Sequence, residues 1–132
     1  MTDFTLCSTI EAPYDQAVAR VRELLSEAGF GVLTEIDMQA TLRTKLGVEI
    51  APQVILGACR PQLAHRAIEV DPRVATLLPC NVVVAAEGDS RTRVEIMDPA
   101  TMSQLSDHPD VAEVASDARE RLAGVIDALN AA

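Results

Sequence analysis

Cys59, His65 and Cys80 are the residues of this 132-residue chain best suited to chemistry, and all three fall in one stretch, Gly57 to Val84, GACRPQLAHRAIEVDPRVATLLPCNVVV. Cys59 closes one apolar run and Cys80 opens another. His65 lies between them, about one turn into a helix that Pro61 can start. Gathered at one end of a sheet, two thiols and an imidazole would suit a soft ion such as copper(I) or zinc. Alternatively, a nearby imidazolium and the helix start would lower a thiol pKa. The spacing selects neither chemistry. There is no CxxC or HxxxH pair, and the other histidine, His108, lies in a distant loop, so the sequence assigns no metal site. A papain-like nucleophile needs an orienting amide or carboxylate, for which Asn81 and Glu69 are only nominal partners. The ordinary role of such residues is structural: a free cysteine packs as a small hydrophobe, and a lone histidine sits on the outer face of an amphipathic helix.

The rest of the composition narrows the function. A formal charge of -9 repels phosphate backbones, and one tyrosine, two phenylalanines and no tryptophan leave no stacking platform for bases, so nucleic acid is not an expected partner. No apolar run approaches the ~20 residues that span a bilayer, and no signal-peptide pattern opens the chain. The expectation is a cytoplasmic protein with no membrane partner. Three cysteines, an odd number, then read as free thiols. The core must be aliphatic, and the length suits a single domain spanning residues 1–132.

The elements that would position these residues follow from periodicity and punctuation. Phe4 to Ile10 alternates as a half-buried strand, and Pro13 then opens a helix with an apolar stripe from Ala17 to Ala28. Gly29 stops that helix and Val32 to Ile36 reads as a strand. Asp37 can cap a short helix with Met38, Leu42 and Leu46 on one face, ended by Gly47. Gln53 to Cys59 reads as a strand covered on both faces, and the small Gly57 and Ala58 mark a close approach of a ligand or of another element. A helix from Pro61 to Val70 places His65 and Glu69 on one face. Asp71 and Pro72 start a further turn that Pro79 ends, and the chain enters a strand at Cys80. Gly88 to Ser90 turns that strand into Arg91 to Met97, whose charged face reads as wet or as a guarded edge. Asp98 to Asp110 reads as a loop with at most one helical turn, around Thr101 to Leu105. Asp110 can then cap the last helix, with Glu113 completing a capping box. The order β-α-β-α-β-α-β-β-α predicts an α+β fold, a mainly antiparallel sheet with helices mostly on one face. Arg43, Lys45 and Arg60 are a nominal anion site, and scattered surface charge is the simpler reading.

Four segments together resemble the bacterial and archaeal family known as domain of unknown function 302: Gly29 to Gly47 (GFGVLTEIDMQATLRTKLG), Ile55 to Ala67 (ILGACRPQLAHRA), Leu77 to Val84 (LLPCNVVV) and Met97 to Pro99. The resemblance runs from Phe4 past Pro99. It implies a small α+β domain of the kind compared with the TATA-binding-protein fold, generally a homodimer, and supplies no activity. Residues shared in the family fall here on Cys59, Pro61, His65, Arg66, Pro79, Cys80 and Asn81. At position 60 this chain has Arg where members often have Asn, which removes a natural cap before Pro61. The resulting expectation is a dimer binding a small ligand near Cys59, His65, Arg66, Cys80 and Asn81. The alternatives are a thiol enzyme or carrier using Cys59 or Cys80, and a structural interaction module. No cofactor is indicated.

Overall fold

The structure, a computed structural model, describes residues 3–131. Five strands form one sheet in the order β1-β5-β4-β3-β2, with every neighbouring pair antiparallel. They are β1 (Thr5–Ile10), β2 (Gly31–Asp37), β3 (Gln53–Cys59), β4 (Cys80–Ala86) and β5 (Thr92–Met97). The helices are α1 (Tyr14–Glu27), α2 (Met38–Leu46), α3 (Pro61–Val70), α4 (Ala100–Leu105) and α5 (Pro109–Asn130), with a 3-10 turn at Pro72–Leu77. This is the expected α+β architecture. Alternation sends Val54, Leu56 and Ala58 of β3, Cys80, Val82 and Val84 of β4, and Val94 and Ile96 of β5 to one face. There they meet Val21, Leu24 and Leu25 of α1 and Leu122, Val125 and Leu129 of α5 in the main core.

A second, smaller core stands beside it. Ala67 of α3, Val74 of the 3-10 turn, Met102 of α4, and Val111, Val114 and Ala115 of α5 bury one another, so α5 belongs to both cores. Asp71 ties the smaller unit together. Its carboxylate accepts from the Arg73 backbone N–H at 3.2 Å, from Arg73 Nε at 2.9 Å and from Ser106 Oγ at 2.7 Å. The Arg73 guanidinium and then the Ser106 hydroxyl hold this carboxyl well below the usual carboxylate range.

Several local expectations hold. Asp37 caps α2 through the Ala40 N–H (2.9 Å), Gly47 is left-handed at φ 68°, and Gly29 at φ 87° reverses the chain after α1. Others need correction. The stretch after Pro99 is a six-residue helix, because Asp98 Oδ1 accepts the Ala100 N–H and Met102 finds a buried place. The last helix begins two residues early: Pro109 takes its first position, and the His108 ring nitrogen accepts the Asp110 N–H, so His108 and not Asp110 is the cap. β5 is an interior strand between β1 and β4. Its Arg93 and Glu95 pair with each other on the sheet face away from the main core, and no edge is being guarded. The stripe of α2 buries no side chain, and Leu46 is 70% exposed.

Gly124 lies within α5, faces open space and would meet nothing within 4 Å if it gained a Cβ. Gly124→Ala is expected to stabilise the fold by about 1 kcal/mol, the helix-propensity difference, read as a higher urea midpoint at unchanged slope.

Candidate functional site

Cys59 ends β3 and Cys80 begins β4. Because Ala58 and Cys80 are register partners, the two cysteines are one residue out of step on adjacent strands. Between them the chain leaves the sheet, runs through α3 and the 3-10 turn, and returns at the cis peptide Leu78–Pro79. That excursion lays α3 over the end of the sheet. Beneath it is a cavity of about 20 Å³ lined by Cys59, Cys80, Ala58, Leu63, Ala67 and Met102. Phe30 and Ala58 of its walls belong to the main core, and Ala67 and Met102 to the smaller one. The cavity is the seam where two separately packed clusters meet without closing on each other.

Of the five residues expected to share a site, Cys59 and Cys80 both border this cavity, Cys80 from the core face and Cys59 at the last position of β3, one residue after the core-facing Ala58 and so on the other face of the sheet. His65 points outward from α3, 77% exposed, 3.6 Å from Glu69. It sits on the polar face because Leu63 and Ala67 take the inward positions of the same helix. Arg66 pairs with Glu113 and Asp110 of α5 on the outside of the molecule. Asn81 is exposed, and as the residue after the core-facing Cys80 it projects from the other face of the sheet. Gly57 does not border the cavity. It lies on that other face under Thr34 and Pro79, so its small size serves packing between strands.

Two residues beyond the five expected at the site also line the cavity. Met102 sits in the segment read as a loop with at most one helical turn. Arg60, whose cap position is empty of side-chain hydrogen bonds, lines the cavity and extends its guanidinium across Gly29 at the end of α1. There it supplies, with Arg121 Nη1 donating to Ala28 O at 3.4 Å, the positive charge that the last turn of α1 lacks. Arg60 Nε is buried with no hydrogen-bond partner. Arg43, the other nominal anion ligand, is held by both carboxylate oxygens of Glu49 at 2.8 and 3.0 Å.

The electrostatics of the thiols follow from burial. The Cys80 thiol is pushed up to about 11, first by desolvation and then by the neighbouring Cys59; desolvation also raises Cys59. A nucleophilic thiolate needs the opposite shift. From an ordinary value near 9, the folded Cys80 keeps a proton that the unfolded thiol gives up. Its contribution to stability is therefore complete below about pH 9 and is lost as pH rises toward 11, in total about 2 to 3 kcal/mol. Between pH 8 and pH 10.5 the unfolding free energy from urea titrations should fall by about 2 kcal/mol more in the wild type than in Cys80→Ala. Equal falls in the two proteins would dismiss the shift.

Larger concavities exist, such as a groove of about 560 Å³ beside Glu27, Asp117, Glu120 and Gly124, but they are open and hold no cysteine. Among the described residues, no three His, Cys, Asp or Glu side chains gather as a metal site, and no helix is long and apolar enough to cross a membrane.

Comparison with known proteins agrees with this fold. The crystal structure of an uncharacterized conserved protein DUF302 from Bacillus stearothermophilus matches with a TM-score of 0.86 and 29% sequence identity, covering 97% of this chain and 99% of the other. No curated protein matches. The family model for the domain of unknown function DUF302 matches residues 6–129, which is nearly the whole chain from the first strand to the end of α5. The protein belongs to the DUF302 family.

Proposed function

We propose that this domain binds a small ligand at the cavity between α3 and the end of the sheet, and that it works as a homodimer. One observation carries the first part: Cys59 and Cys80, far apart in sequence, line the same apolar space at the seam of two cores. An apolar lining with few polar groups is the usual character of small-molecule sites, but those enclose about 300 Å³ or more, so this space of about 20 Å³ must open to admit a ligand. α3 is a wall that can give way, since Ala67 is its only buried residue. His65, Arg66 and Asn81 lie outside this site. Native mass spectrometry of the purified protein tests the reading. A bound mass should be present in the wild type and absent from Ala64→Leu, which fills the cavity from α3. A wild type carrying nothing, with the same thermal stability in every ligand screen as Ala64→Leu, would remove it.

The dimer is supported by a second surface. β2 is an edge strand, and Leu33 (64% exposed) and Ile36 on it, with Leu46 and Val48 at the end of α2 and just after, leave large apolar side chains in solvent. A second copy covering them would account for an α2 with no fully buried side chain of its own. Light scattering should give twice the chain mass at micromolar concentration, and Leu33→Lys with Ile36→Lys should give the monomer mass. A monomeric wild type ends the proposal. The thiol-enzyme alternative has no lowered thiol pKa to support it.

A further inference from the structure

Arg60 differs from the other arginines of this chain. Each of the others stands in an ion pair with a carboxylate, and among the described residues Arg60 alone of them has none. Its Nε is buried without a hydrogen-bond partner. A buried N–H with no acceptor is rare, and an acceptor brought from outside the chain is the simplest reason for one. Arg60 is also the one charged residue that lines the seam cavity, since among the described residues no Asp, Glu or His borders it. Nη1 of its guanidinium lies against Gly29, so the edge that carries Nε is the one left without an acceptor. That edge has the shape a carboxylate fits, two oxygens against two N–H groups.

We propose that the seam takes an aliphatic carboxylate, with the acid group on the Arg60 guanidinium at the start of α3 and the hydrocarbon chain under that helix, between the two cores. This deepens the ligand-binding reading above and rests on it. The lining suits both ends of such a molecule. Leu63, Ala64, Ala67, Leu78, Met102 and Val114 offer the chain an apolar bed, with no array of polar groups to select a sugar or a nucleobase. One guanidinium balances one carboxylate, whereas a doubly charged phosphate would leave charge uncompensated at the margin of an apolar space. A cationic head group would meet Arg60 with like charge. The start of α3 favours the same sign: Arg60 at the cap position gives no side-chain cap, and the first turn holds no acidic residue. Room for the chain comes from α3, which is held by Ala67 as its only buried residue, and from the unbranched Met102, whose side chain can repack across the gap.

The test is calorimetric titration of the full chain with octanoate and with octanol, which share a hydrocarbon chain and differ in head group. Octanoate should bind one to one and about 10 to 100-fold more tightly than octanol, the worth of a charge-assisted contact. From hexanoate to octanoate the affinity should rise about fourfold for each methylene. Arg60→Gln should erase the preference for the acid and leave octanol binding as it was, and Ala64→Leu should abolish both. Leu33→Lys with Ile36→Lys, which removes the exposed apolar patch of β2, should change neither. Circular dichroism establishes that each variant is folded. If Arg60→Gln is not, the ratio of octanoate to octanol affinity in the wild type decides the matter. Equal affinities there, no binding of either compound, or a preference for the acid that persists in folded Arg60→Gln would overturn the assignment. So would octanoate binding that survives Ala64→Leu or is lost only in the β2 variant. A native mass spectrum that still shows a ligand absent from Ala64→Leu would then leave the cavity reading standing without the carboxylate. An empty spectrum would end both.

Discussion

Gly57→Val is expected to destabilise the protein by about 3 kcal/mol, at the upper end of what overpacking a filled interior costs. Gly57 pairs with Thr34 of β2 on one side and Asn81 of β4 on the other. A Cβ placed there would run into the Thr34 hydroxyl and come within 2.7 Å of Pro79 Cγ. Thr34 can rotate away, but the Pro79 ring is fixed just before β4, so a branched side chain must push strands or ring apart. Urea unfolding measures the effect as a lower midpoint with unchanged slope. Thr34→Ala should recover part of the loss in Gly57→Ala while changing the wild type little, since Thr34 is exposed. A valine variant as stable as the parent would mean that this contact is loose. The site would then lose its rigid frame, because Gly57 and Pro79 directly precede Ala58 and Cys80, both on the cavity wall.

Leu122→Ala should remove roughly 3 to 4 kcal/mol, a large part of the 5 to 15 kcal/mol by which domains of this size are stable. Leu122 is fully buried, and it stands in the helix that joins the two cores: α5 places Val111, Val114 and Ala115 in the smaller cluster and Ala118 through Leu129 in the larger. The loss should therefore be global. Circular dichroism and release of the Cys80 thiol to a chromogenic reagent should follow the same urea transition, shifted equally. If the thiol became reactive at lower urea than the loss of helix, the smaller core would be unfolding alone and the two clusters would not be one cooperative unit.

Much of this molecule is written locally. Strand and helix periods, the cap at Asp37, the left-handed Gly29 and Gly47, and the hairpin turn at Gly88 each depend on a few consecutive residues, so the element order and the α+β class follow from the sequence. The features that differ from local expectation are those in which a distant group decides. Met102 draws the single expected turn out into the six-residue α4 because the smaller core offers it a buried place. β5 became interior because β1, from the other end of the chain, pairs with it. The stripe of α2 is only half covered: Met38 and Leu42 are half-buried where the helix meets β2 and β3, and Leu46 at its end stays exposed.

The candidate site divides in the same way. Sequence by itself marked Cys59 and Cys80 as the residues to watch, since both sit at strand ends flanking one helix. Only the tertiary structure decided that they line one cavity, that His65 and Asn81 face elsewhere, and that Arg60 and Met102 join them. The physical reason is that periodicity fixes which side of its own element a residue occupies. The neighbour met on that side depends on how α3, α4 and α5 pack against the sheet, and that is settled by burial between residues far apart in the chain.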